Sequence, residues 1–140
     1  PYTTLFRSSR YTEWDTEIFP EGLYEGIRQV WNKYHLPIYI TENGIGLYED
    51  TSVNQVEDDD RIEFMDMHIA AVLKAKEGGC DVRGYYAWSP FDLYSWKNGT
   101  EKRYGLVAID YENGLERRPK KSYYWYKDVI ETDGKHITGK

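Results

Sequence analysis

Apolar residues recur along this chain at two alternating periods, and the alternation predicts strands separated by helices. After Pro20, residues Leu23, Ile27, Val30, Trp31 and Tyr34 share one face of a helical repeat. A proline in the first helical turn sacrifices no intrahelical hydrogen bond. Pro37 stops that helix after His35-Leu36 and opens a short apolar strand, Ile38-Tyr39-Ile40, which Asn43-Gly44 then turns away. The acidic run Glu57–Asp60 suits the positive end of a helix dipole and predicts a second helix. Ile62, Met65, Ile69, Val72 and Leu73 form its buried stripe, and Gly78-Gly79 its end. Val82 to Ser89 reads as a second strand, with Pro90 ending its regular pairing, and a loop with Asn98-Gly99 follows. Gly105 to Ile109 and a return around Asn113-Gly114 predict a hairpin, and Pro119 starts a last helix through Tyr123, Trp125, Tyr126 and Ile130. Strands alternating with helices predict βαβ units and a parallel α/β sheet.

Residues 1–9 do not join this pattern. They read equally well as an ordinary loop or as a segment foreign to the native protein, leaving 10–140 as the patterned region. No internal repeat or low-complexity tract interrupts it.

Composition narrows the function classes. At 140 residues the chain is long enough to bury a sizeable core. Five Trp and 14 Tyr suit either a thick core or a carbohydrate cleft in which sugar faces stack on rings. A formal net charge of −6 argues against a broad nucleic-acid or anionic-membrane footprint, so any anion site has to be local. The single cysteine, Cys80, excludes an internal disulfide and fits a structural role in a reducing compartment. No apolar run approaches the roughly 18 residues of a membrane span, and no signal-peptide core is present, so a soluble, cytoplasmic location is expected. Neither a metal-ligand spacing nor a nucleotide-type glycine loop occurs, and no cofactor is expected.

The candidate chemistry begins with Glu42. It ends an apolar strand, the place where parallel α/β barrels carry catalytic side chains, although from position alone a turn-capping glutamate reads as well. Four ordered motifs shift that balance: Ile40-Thr41-Glu42-Asn43-Gly44, Arg83-Gly84-Tyr85-Tyr86-Ala87-Trp88-Ser89, Lys102-Arg103-Tyr104-Gly105-Leu106 and Pro119-Lys120-Lys121-Ser122. From about Tyr11 to about Glu131 the chain resembles the C-terminal part of glycoside hydrolase family 1. The resemblance implies a (β/α)8 TIM barrel, with Glu42 as catalytic nucleophile on the seventh strand and Trp88 following on the eighth. A retaining glycosidase needs a second carboxylate roughly 5 to 5.5 Å away. The family carries it in an Asn-Glu-Pro motif that these residues do not contain. Since a full barrel takes about 250 residues, the expectation is an incomplete barrel: the last two strands with their helices, dependent on the remainder for activity.

The loop from Asp92 to Tyr104 bears on the substrate. Ordinary β-glucosidases of the family place a sugar-binding Glu immediately before a Trp, where this chain has Ser95-Trp96. A serine there removes a charge that would repel phosphate and supplies a hydroxyl donor. Ser95, Lys102 and Tyr104 are similar in spacing to the phosphate clamp of the 6-phospho-β-glycosidase branch, and the other reading is a solvated basic loop. Trp96 is expected beside the sugar or in structural packing. The expected ligand is a small phosphorylated β-glucoside or β-galactoside, with no nucleic-acid or membrane partner. An unphosphorylated β-glucosidase and a non-catalytic sugar-binding or scaffold polypeptide are the alternatives.

Overall fold

The computed structural model describes residues 10–14 and 16–139. The expectation for 1–9 therefore lies outside the described residues. Two short strands, β1 (Arg10–Tyr11) and β2 (Glu17–Ile18), pair antiparallel ahead of α1 (Pro20–Tyr34). Then come β3 (Ile38–Asn43), α2 (Asp59–Glu77) and β4 (Val82–Ala87), with β3 and β4 parallel and α2 as their crossover. The hairpin β5 (Val107–Asp110) and β6 (Glu116–Pro119) leads into α3 (Lys121–Glu131). This is one βαβ unit with flanking helices and a hairpin, and the described residues form no closed barrel.

Several boundaries differ from the sequence expectation. His35, not Pro37, caps α1: it takes a left-handed conformation (φ 52°), and its N–H donates to the Trp31 carbonyl at 2.9 Å. β3 does not turn at Asn43 but runs through it. β4 stops at Ala87, ahead of a cis Trp88-Ser89 peptide. Pro119 closes β6 rather than opening α3, because Lys120 still donates its N–H to Leu106 before the helix begins.

Two apolar clusters share α2. Phe64, Met65 and Ile69 pack with Ile45, Leu47, Leu106 and Val129, while Val72 and Ala75 pack with Ile27, Cys80 and Val82. Met65, Ile69 and Val72 are buried as expected, but Ile62 and Leu73 are only half-buried. Arg61, Asp66 and His68 are buried instead. A helix covered on more than one side has no single apolar stripe. Along α1 only Ile27 is fully buried, and Val30 and Tyr34 are exposed. No helix among the described residues is long and apolar enough to cross a membrane.

Candidate active site

Glu42 lies near the end of β3, and Trp88 directly follows β4, the parallel neighbour of β3. Ile40 pairs with Tyr85 and Asn43 with Ala87, so β3 takes three steps where β4 takes two. Such an extra residue re-aims the side chains beyond it. Regular alternation would put Glu42 on the side of Ile38 and Ile40, which pack toward the helices. With the extra residue Asn43 occupies that side, where its Oδ1 accepts the Tyr85 hydroxyl at 2.8 Å, and Glu42 is exposed. The Trp88 N–H donates to the Asn43 carbonyl at 2.8 Å, which fixes Trp88 next to the strand end. Gly44 is required by this approach rather than by a turn: a Cβ there would lie 1.8 Å from the Trp88 carbonyl oxygen.

Five of the six residues singled out in the sequence meet in one open cavity of about 410 Å³. Trp88, Ser95, Trp96, Lys102 and Tyr104 line it together with Leu93, Tyr94, Lys97 and Asn98. Glu42 is not among the lining residues, and the link between its strand and the cavity is the bond from the Trp88 N–H to the carbonyl of the next residue, Asn43. The lining holds two lysines and no carboxylate, a local basic site on an acidic chain.

The turn that carries Ser95 is closed by its own backbone. Ser95 and Gly99 exchange backbone hydrogen bonds of 2.7 and 2.9 Å, with Gly99 at φ 58° closing the turn. The Asn98 N–H donates to Ser95 Oγ at 3.3 Å, and the Ser95 hydroxyl donates back to Asn98 Oδ1 at 3.5 Å, a contact longer than the usual O–H···O range. Trp96, at the tip, is 101% exposed among the described residues. The Lys102 ammonium lies 5.3 Å from the Trp14 ring centre and 5.4 Å from that of Tyr104, within cation–π range. Its methylene stem lies over Gly46, where a Cβ would come within 2.4 Å of Cε.

Sequence reasoning missed the support beneath this loop. Asp92, 6% exposed, accepts the N–H of Gly105 at 2.9 Å and the Lys120 ammonium at 2.9 Å. Lys120 also bonds Glu49. The signal lay in the Pro119-Lys120-Lys121-Ser122 motif, but which of its two lysines is buried depends on the β6–α3 boundary. His68 Nδ1 lies 2.7 Å from the Phe64 carbonyl, and burial lowers its pKa. Among the described residues no cluster of His, Cys, Asp or Glu is arranged to hold a metal ion.

Residues 5–135 match the profile of glycosyl hydrolase family 1. Among solved structures, a family 1 β-glucosidase from Thermotoga maritima in complex with isofagomine lactam is 36% identical, with a TM-score of 0.86 over 91% of this chain and 29% of that one. The Thermotoga maritima β-glucosidase with castanospermine gives the same figures, 36%, 0.86, 91% and 29%. The complex with glucoimidazole is 35% identical, with a TM-score of 0.86 and the same 91% and 29% coverage. The chain thus spans less than a third of the length of the solved proteins it matches, 29%.

Proposed function

Since the chain belongs to glycosyl hydrolase family 1, we propose that it supplies the nucleophile and the phosphate-recognition loop of a retaining 6-phospho-β-glycosidase. Glu42 attacks the anomeric carbon and the glycosidic C–O bond breaks, with the aglycone oxygen taking a proton from a carboxylic acid outside these residues. Water then cleaves the Glu42 glycosyl ester, and the same acid, now a carboxylate, takes the proton from that water. Trp88 and Trp96 offer ring faces to the sugar. Lys102 supplies charge to the 6-phosphate, and the hydroxyls of Ser95 and Tyr104 orient it.

The observation that carries the phosphate reading is the cavity lining: Ser95, Lys97, Lys102 and Tyr104 with no carboxylate among them. A second reading, an unphosphorylated β-glucosidase, is favoured by the names of the solved structures reported above, which are β-glucosidases. Both share the Glu42 chemistry. That chemistry is tested by treating the full-length protein with an activated 2-deoxy-2-fluoro-β-glycoside, with and without a 6-phosphate, and mass-mapping the peptides. The expected result is one glycosyl adduct on the peptide carrying Glu42, absent in Glu42→Gln. An adduct elsewhere would remove Glu42 from the role.

A further inference from the structure

We infer that Arg61 is a positioning residue that locks the substrate loop to the chain segment leaving Glu42, an inference that rests on the cavity being the substrate site. Arg61 is 1% exposed on the first turn of α2 and meets Tyr104 only at its backbone carbonyl, not at the hydroxyl proposed for the phosphate. A guanidinium has five N–H donors, and all five have an acceptor. Nε donates to Asp58 Oδ2 at 2.8 Å. Nη1 donates to the carbonyls of Ile45 at 2.6 Å and Tyr104 at 3.1 Å. Nη2 donates to Glu49 and to the Arg103 carbonyl at 3.1 Å.

Those acceptors lie on two separate segments. Ile45 and Glu49 follow Glu42 out of β3, whereas Arg103 and Tyr104 belong to the strip that carries Lys102 into the cavity. Leu47 and Arg103 exchange backbone hydrogen bonds of 2.9 Å beside the guanidinium, so its planar fork sets the spacing at which the two segments meet. The charges around it alternate without a break: Asp58, Arg61, Glu49, Lys120, Asp92, Arg103. Asp58 is anchored in turn by Ser122, whose N–H and hydroxyl donate to it at 2.8 and 2.5 Å. Three acids and three bases alternate in this row, so each buried charge has an opposite one beside it. A lysine at position 61 would keep the charge but, with three donors on one atom, could not serve both segments.

The test compares Arg61→Lys with the unmodified full-length protein in two measurements. Kinetics on an aryl 6-phospho-β-glycoside, per active site titrated with the fluorosugar, should show KM raised about tenfold, the effect of one charge-assisted hydrogen bond lost from the loop's support. The kcat per titrated site should change far less, because Glu42 is held by the β3–β4 pair. A merely structural role would lower the titratable fraction and leave KM per site unchanged, which would overturn the inference. Amide exchange is read in parallel. Leu47, Arg103 and Gly105 should lose protection while Ile38 and Trp88 keep theirs, and equal protection throughout would overturn it. If no glycoside is hydrolysed at all, the functional reading fails, and exchange still decides whether Arg61 ties the two segments. Should Arg61→Lys not fold, Glu49→Gln, which weakens the same fork from the acceptor side, is expected to move KM and exchange in the same direction, and no movement in either would overturn the inference.

Discussion

Tyr85 on β4 gives its phenolic hydrogen to the side-chain oxygen of Asn43 on β3, across 2.8 Å, and this contact fixes which way the residue before Asn43 faces. Burial pushes the Tyr85 phenol far above its usual range, so it remains a neutral donor in alkaline solution. Replacing Tyr85 by Phe leaves the Asn43 oxygen without that donor at a cost of about 1–3 kcal/mol. Chemical unfolding of the full-length protein measures the loss, and kcat should fall with it because Glu42 is no longer held to one direction. Unchanged stability and kcat would mean that the extra residue in β3 holds Glu42 without help.

The two lysines of the Pro119-Lys120-Lys121-Ser122 motif should respond in opposite ways. Lys120 is 0% exposed between Glu49 and Asp92, so Lys120→Met strands two buried carboxylates, and breaking such a pair costs about 3–5 kcal/mol. Lys121 pairs with Glu57 and Asp59 at the exposed helix start, and Lys121→Met should leave the unfolding midpoint where it is. Equal losses in the two variants would contradict the assignment of the buried row.

Stability should fall as the solution is acidified past the ordinary histidine value. Burial lowers the His68 pKa below 6.5, more than the hydrogen bond to the Phe64 carbonyl and the charge of Glu21 raise it. The unfolded chain therefore takes up the proton first. The His68 contribution is complete above a pH of about 6.5 and is lost as pH falls through that value toward the lowered folded pKa. Unfolding free energies measured from pH 8 downward should slope in this window and flatten in His68→Gln. An unaltered slope in the variant would assign the acid sensitivity to other groups.

Much of the fold was legible because its punctuation is local. Pro20, Pro37 and Gly78-Gly79 bound elements whose apolar spacing is clear, so α1, β3, α2 and β4 follow within a residue or two. What stayed hidden depends on partners distant in sequence. Asp58 belongs to the acidic run expected to open α2, yet it is buried and accepts hydrogen bonds from Ser122, 64 residues away. Nothing in the sequence singles out Arg61, since its acceptors on Ile45, Arg103 and Tyr104 come from other segments. The two-residue strands β1 and β2 are too short to carry a period. In the site, the Ser95, Lys102 and Tyr104 spacing anticipated residues that the fold brings into one cavity. The extra residue that exposes Glu42 gives no sequence signal, because it exists only relative to β4.

Substrate charge is the centre of the account, and a ratio measures it. Take kcat/KM for one aryl β-glycoside with and without a 6-phosphate, in the full-length protein and in Ser95→Glu. The unmodified protein should favour the phosphorylated form. Each charge-assisted hydrogen bond to the phosphate contributes about 1.5–3 kcal/mol, or roughly one to two decades of discrimination. Ser95→Glu removes a donor and sets a carboxylate against the dianion, and should erase or reverse that preference. A preference for the plain sugar, or a ratio that Ser95→Glu leaves unchanged, would contradict the phosphate assignment and leave the unphosphorylated β-glucosidase in its place.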